Sequence, residues 1–262
     1  MITALVDADI ITYVYGFACE SISYECEDGV VLSTMTQATE YCETYGLEED
    51  LIRPIVEHEP FSHVLFLIRK ALRRIKDRTG CDDMRLFLSG DSNFRDKIAT
   101  IKPYKGGRAK RKPHWYNEIR EHLIDVRGAE VCVNMEADDA MGILANENTV
   151  ICTIDKDLDM VPGLHYNFKT DKLFNVSEHE AIKNFYKQLL TGDRVDNIQG
   201  IPGIGKVTAN KLINPCSTEE DMYWTCLNEY CKAYDKAYAA LKENADLLWI
   251  LRVDGKMWEP PV

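Results

Sequence analysis

The sequence predicts an α/β protein: a mostly parallel sheet flanked by helices, continued by a helical C-terminal region. Between residues 84 and 168, short apolar runs alternate with helix-period segments, the order that builds parallel sheets covered on both faces. Beyond about residue 180 the strand signal fades and helical spacing remains. The chain therefore divides into an α/β core over residues 1–180 and a helical region over 181–262.

The elements follow in order. Residues 2–8 are an apolar run ending in Asp7, with Asp9 placed to cap a following helix. Asp28-Gly29 between β-prone flanks suggests a hairpin over Ser21–Met35. Val64, Leu65, Ile68, Leu72 and Ile75 recur at helical spacing over Phe61–Lys76. Strands are expected at Met84–Leu88, Glu130–Val133, Val150–Ile154 and Leu164–Phe168, with helices at His114–Val126 and Ala137–Ala145.

Composition bounds the class. The 262 residues are 45% hydrophobic and 28% charged, which excludes a disordered or fibrous chain. No stretch approaches the ~18 apolar residues of a membrane span, and the N-terminus lacks a basic leader segment, so a cytoplasmic protein is expected. The nine cysteines are scattered without a C-x-x-C, and no spacing joins them to the six histidines as a zinc motif. The net charge of −12 is local: residues 1–60 hold 13 acids and one base, and the remainder is neutral. Total charge therefore does not exclude a polyanionic partner.

Carboxylates follow almost every expected strand: Asp7, then Asp91, then Glu136-Ala137-Asp138-Asp139, then Asp155 and Asp157. Each alone is most simply a helix cap. Repetition at four strand ends is not explained by capping. In a parallel sheet those ends share one edge, where gathered anions repel unless a cation neutralises them. Oxygen ligands without clustered histidine or thiolate suit Mg²⁺ or Mn²⁺. A pair of such ions suits phosphodiester hydrolysis.

Two further segments suggest a phosphate partner. Gly200-Ile201-Pro202-Gly203-Ile204-Gly205-Lys206 reads as a glycine hairpin between a short helix and a second helix starting near Lys206. Its amides and Lys206 suit a nucleic-acid backbone, although a plain helix–helix turn would share the glycines. Lys102–Lys112 holds six bases in eleven residues: Lys102, Lys105, Arg108, Lys110, Arg111 and Lys112. A charge run is often only solvated surface. This one follows Asp91 directly and carries Tyr104, with Trp115 and Tyr116 beyond it as faces for stacking bases.

Together, Asp7, Gly90-Asp91, Tyr104-Lys105-Gly106-Gly107-Arg108, Glu136-Ala137-Asp138-Asp139, Asp155-Lys156-Asp157 and Gly192-Asp193…Asp196-Asn197…Gly203-Ile204-Gly205 resemble the structure-specific 5′-nuclease family. Flap endonucleases and the 5′-nuclease domains of bacterial DNA polymerases belong to it. The pattern looks most similar to the 5′→3′ exonucleases of short-tailed bacteriophages. The resemblance implies a PIN-like core, a helix-three-turn-helix region around residues 192–213, and metal-dependent hydrolysis near DNA 5′ ends. It implies that Asp7, Asp91, Glu136, Asp138, Asp155 and Asp157 are the nearer ligands of two Mg²⁺ or Mn²⁺ ions. Asp139, Asp193 and Asp196 would complete the outer set.

By the same resemblance, Lys105 and Arg108 would act on the scissile phosphate and Asp155 would be catalytic. Lys102, Tyr104, Lys110, Arg111, Lys112, Gly203, Gly205 and Lys206 would bind DNA, and hairpin carbonyls would hold K⁺. RNA–DNA hybrids and 5′ flaps are further substrates implied, and phage or host replication proteins are the partners, in an infected bacterial cell. The short, glycine-led segment after Gly106 does not predict a long arch helix, and residues 20–60 match the family poorly. Two rival readings are a DNA-binding module using the hairpin alone and a small-molecule phosphohydrolase built on Asp7-Ala-Asp9.

Overall fold

In chain order the elements are β1 (Thr3–Asp7), α1 (Ala8–Ala18), β2 (Glu20–Glu25), β3 (Val31–Leu32), α2 (Met35–Tyr45), β4 (Arg53–His58) and α3 (Phe61–Thr79). Then come β5 (Asp83–Ser89), α4 (Arg95–Ile98), α5 (Tyr116–Arg127), β6 (Glu130–Cys132), α6 (Ala137–Leu144), β7 (Thr149–Cys152), β8 (Gly163–Asn167) and β9 (Lys172–Val176). The chain finishes with α7 (Glu178–Thr191), β10 (Gly192–Asp193), β11 (Ile198–Gln199), α8 (Lys206–Ile213), α9 (Glu219–Ala233) and α10 (Ala237–Leu248). This computed structural model describes residues 1–107 and 111–261, so Arg108 and Lys110 lie outside the described residues.

The chain forms two compact units, and their boundaries do not fall at residue 180. The first comprises residues 1–10, 72–110 and 122–262; the second comprises 11–71 and 111–121. In the first unit a six-stranded sheet runs β6-β5-β1-β7-β8-β9. All neighbours are parallel except β8 and β9. The central strand β1 is buried almost end to end, the near-continuous apolar pattern of a strand covered on both faces. The antiparallel edge strand β9, exposed along most of its length, has no such pattern and was not anticipated.

One core joins this sheet to the C-terminal helices. Leu5, Phe87 and Ile151 of the sheet, Phe185 and Leu189 of α7, and Tyr230, Leu241 and Leu248 of α9 and α10 belong to the same buried cluster. That continuity is why no seam opens near residue 180. Capping boxes start α7 at Ser177 and α9 at Thr218, each closing two otherwise unpaired amides. The short helix expected before Gly203 is instead a two-residue antiparallel ladder, β10 with β11, followed by a turn.

In the second unit β3-β2-β4 form an antiparallel sheet. The hairpin expected around Gly29 is β2–β3, with Gly29 at φ 83°. The helix α2 was not anticipated. Thr34 caps it by accepting the Gln37 amide at 3.2 Å, and Ala38 and Cys42 pack with Cys26 as a small separate core. No disulfide joins any of the nine cysteines, all of which are described. No helix among the described residues is long and apolar enough to cross a membrane.

Candidate active site

The strand order reverses at β1. The chain proceeds from β1 to β5 and β6 on one side, then returns to β7 and β8 on the other. A crevice opens beyond the carboxyl ends of strands at such a point, and Asp7 is the last residue of β1. The residue is 3% exposed. One carboxylate oxygen accepts the Ile10 amide at 3.0 Å and the other accepts the Thr153 hydroxyl at 2.9 Å, just past β7. Asp9, expected as the cap, lies inside α1 and accepts the Ser89 amide at 2.8 Å at the end of β5, while the Ile10 amide of that helix is held by Asp7. Beyond β5 the chain passes tightly under β6: a Cβ on Gly90 would lie 2.3 Å from the Cys132 carbonyl oxygen. Asp91 follows, exposed.

Burial and neighbouring acids, with no cation among the described residues offsetting them, set the ionisation of Asp7, Asp138 and Asp157. Burial pushes the Asp7 carboxyl up to about 7, aided by the charges of Asp9 and Asp155 against the lowering bonds from Ile10 and Thr153. Burial also raises Asp138 well above the usual carboxylate range, with further contributions from Asp7, Asp155 and Glu136. Asp157 rises to about 7 through burial and through Asp155 and Asp193, opposed by a hydrogen bond from Gln188. Asp155 holds this loop by accepting the Asp157 amide at 3.0 Å, while its own amide donates to Thr153 Oγ1 at 3.0 Å.

A second group of acids adjoins the first. Tyr104 donates its hydroxyl to Asp196 at 2.9 Å and to Glu136 at 3.1 Å. The Lys105 ammonium pairs with Glu136 and stands 3.8 Å from Asp196. Burial raises the Asp196 carboxyl, with Lys105 opposing. The Gln188 amide nitrogen bridges Asp157 at 3.0 Å and Asp193 at 3.2 Å. Glu136, Asp138, Asp157, Asp193 and Asp196 all line one small cavity of about 30 Å³. That volume exceeds the ~10–15 Å³ needed by one water and is far below that of a nucleotide. Gln188 was not singled out from sequence; nothing local marks a helical glutamine as a bridge between distant acids.

Asp139 does not belong to this set. It is fully buried and paired with Arg95, whose guanidinium donates to its two oxygens at 2.6 and 2.9 Å. The amides of Glu136 and Leu251 donate to the same carboxylate at 3.1 Å each. Arg95 also donates to the Leu247 and Trp249 carbonyls at 2.8 and 2.7 Å. With its lone pairs occupied, Asp139 anchors α6 to the C-terminal segment, whereas the resemblance implies a place among the outer metal ligands.

The basic segment is partly placed. Glu243 holds the Thr100 and Ile101 amides at 2.7 and 2.8 Å, and the Lys105 amide donates to the Asp196 carbonyl at 2.9 Å. Lys102 lines a groove of about 510 Å³ together with Arg194, Pro202, Gly203 and Gly205. Gly192 makes the groove's tight entry: its φ is 67°, and a Cβ there would lie 2.1 Å from the Gly200 nitrogen. Tyr234 and Asn244 anchor the loop by donating to the Gly200 and Gln199 carbonyls at 2.9 and 2.8 Å. Lys206 is exposed at the start of α8. Arg194 was not foreseen as part of this groove.

In the second unit Arg111 pairs with Glu20, and the Lys112 ammonium sits 4.3 Å over the Tyr116 ring. Trp115 donates its indole N–H to the Glu59 carbonyl at 2.9 Å and packs on Phe61. Tyr104 and Trp115 therefore already use their polar atoms within the protein. The expectation that the histidines lack clustered partners is corrected: His58 stacks on His114 at 3.9 Å between ring centroids, and His63 meets Glu59.

No family model matches the sequence. A 5′-3′ exonuclease of Buchnera aphidicola is 29% identical over 161 residues, covering 53% of this chain and 51% of that protein. DNA polymerase I of Bacillus caldotenax is 31% identical over 159 residues, 52% of this chain and 18% of the polymerase. The match thus spans about half of the exonuclease and under a fifth of that polymerase. Among solved structures, a bacteriophage T5 5′-exonuclease with bound zinc superposes at TM-score 0.56 and 15% identity, covering 94% of this chain and 86% of the other. A bacteriophage T5 flap endonuclease in complex with DNA and metal ions superposes at TM-score 0.54 and 14% identity, covering 95% and 99%. The resemblance to the 5′-nuclease family therefore holds in sequence with the exonuclease and the polymerases, and the fold is that of the phage 5′-exonucleases.

Proposed function

We propose that this chain is a divalent-metal-dependent 5′→3′ exonuclease that hydrolyses phosphodiester bonds from the 5′ ends of duplex DNA. RNA–DNA hybrids and 5′ flaps are further substrates of the same reading. One observation carries it: Asp7, Asp138 and Asp157 are desolvated acids, and together with Asp155 they gather where the strand order reverses. Asp193 lines both the cavity that Asp138 and Asp157 share and the adjoining groove. A protein that only bound a polyanion would gain nothing from these carboxylates.

An all-oxygen donor set with Lys105 as its paired cation fits hard divalent ions such as Mg²⁺ or Mn²⁺. Asp7, Glu136, Asp138, Asp155 and Asp157 would hold them, with Asp91, Asp193 and Asp196 outside. Bound there, the ions would activate water and neutralise charge on the scissile phosphate. The protein's own groups do the positioning. Thr153 orients Asp7, Gln188 holds Asp157 to Asp193, and Tyr104 with Lys105 holds Glu136 to Asp196. Lys105, paired with Glu136 in the protein, would exchange that carboxylate for a phosphate oxygen, with Arg108 as its proposed companion.

In the groove, Lys102, Arg194 and Lys206 would meet the DNA backbone while the amides around Gly203 and Gly205 approach phosphates closely. Carbonyls of the same turn are the proposed K⁺ site. Lys110, Arg111 and Lys112 extend the proposed DNA contacts, and phage or host replication proteins are the proposed partners.

The test uses a linear duplex labelled at one 5′ end and, separately, at one 3′ end, with and without Mg²⁺. Early release of short 5′-labelled products, with gradual shortening of the 3′-labelled strand, is the expected result. It should require Mg²⁺ and vanish in Asp155→Asn, which should still shift DNA in a gel. Cleavage confined to flapped substrates would favour a flap endonuclease; binding without cleavage of either substrate would leave the binding-module reading.

A further inference from the structure

We propose that Cys19, Glu59 and His63 form a second metal site, specific for borderline ions such as Zn²⁺, that ties the ends of β2 and β4 to the first turn of α3. Among the described residues these are the one trio whose thiol, carboxylate and imidazole atoms lie within 4.8 Å of one another. Two ligands on a tetrahedral zinc stand about 3.3–3.8 Å apart at ordinary bond lengths, so small side-chain rotations close the site.

The backbone builds it. Antiparallel register pairs Glu20 with His58, which makes Cys19 and Glu59 the next facing positions. The Glu59 amide donates to the Cys19 carbonyl at 2.9 Å. The Glu59 carbonyl is held in turn by the Trp115 indole at 2.9 Å. Four residues on, in the first turn of α3, His63 presents Nδ1 to the Glu59 carboxylate. A surface His–Glu pair would account for two members; it does not account for a buried thiol turned to both.

The chemistry differs from that of the carboxylate cluster. Thiolate and imidazole select Zn²⁺ or Co²⁺ over Mg²⁺, whereas an all-oxygen set does not. The Cys19 side is enclosed at 1% exposure, while His63 and Glu59 are 45% and 49% exposed. Three protein ligands therefore leave an open position toward solvent, which water or an incoming ligand would fill.

Co²⁺ provides the test, because only a thiolate ligand produces a sulfur-to-cobalt charge-transfer band in the near ultraviolet. One equivalent of Co²⁺ is added to the full chain in excess Mg²⁺, which occupies oxygen ligands and spares a thiolate site. The expected result is a charge-transfer band that one equivalent of Zn²⁺ bleaches. The band should be lost in Cys19→Ser and retained in Cys26→Ser. In His63→Ala, a surface change that spares the fold, half-saturation should need at least ~10-fold more Co²⁺. No band in the unaltered chain, a band surviving Cys19→Ser, or an unchanged titration in His63→Ala would overturn the proposal.

Discussion

Two regions built from the same residue type meet at the start of α6. Asp138 faces the crevice, where burial and neighbouring acids oppose its ionisation. Asp139, one residue later, is fully buried where Asp138 is partly exposed, but it takes two guanidinium bonds and two amides. A buried charge is costly in both places, but among the described residues only the second region compensates it. The comparison separates a carboxylate that holds the fold from one whose ionisation its surroundings oppose.

The largest effect should come from breaking the compensated region. Asp139→Ala leaves the Arg95 guanidinium buried and unpaired, which should cost ~3–5 kcal/mol in chemical denaturation. Asp138→Asn should invert that pattern. Nuclease turnover should fall at least ~100-fold, while thermal stability of the metal-free protein should stay level or rise, because a repelled charge has gone. Loss of stability in Asp138→Asn as large as in Asp139→Ala would erase the distinction between the two regions.

A smaller effect concerns pH. Asp7 and Asp157 rise from an ordinary 3.8 to about 7 in the folded state. Between those values the folded chain binds more protons than the unfolded one, so stability falls as pH rises. In EDTA the melting temperature should therefore decline from about pH 4 to about pH 7 and then level off. Added Mg²⁺ should restore stability most above pH 7. A melting temperature that rises across that window would show that the acids are compensated after all. The smallest effect belongs to the groove. Lys206→Ala should weaken DNA binding on all sequences alike and reduce the salt slope by about 0.9, read from affinity titrations at several salt concentrations.

Much of this was legible in the residues. Acids recurring after strand patterns placed Asp7, Asp138, Asp155 and Asp157 at one edge, because parallel strands leave their carboxyl ends together. The glycine-rich turn around Gly203 was legible for a similar local reason. What escaped depended on partners far along the chain. Asp139 is separated from Asp138 by about 100° around the helix, and only Arg95, 44 residues away, decides that one faces inward. Gln188 bridges Asp157 across 31 residues, and no local pattern announces such a bridge. Likewise Cys19 and Glu59 become neighbours through sheet register, which a linear spacing rule for metal ligands does not contain.

By itself, then, the sequence determined the alternation of strands and helices, the acids at strand ends and the glycine turn. These rest on local periodicity and on backbone chemistry within a few residues. Tertiary structure alone decided where the units divide, since one core runs from Leu5 to Trp258 through the C-terminal helices. It also decided which carboxylates are compensated. Desolvation and Coulomb repulsion are properties of arrangement in space, and two adjacent aspartates with identical side chains acquire different roles only when the chain has closed around them.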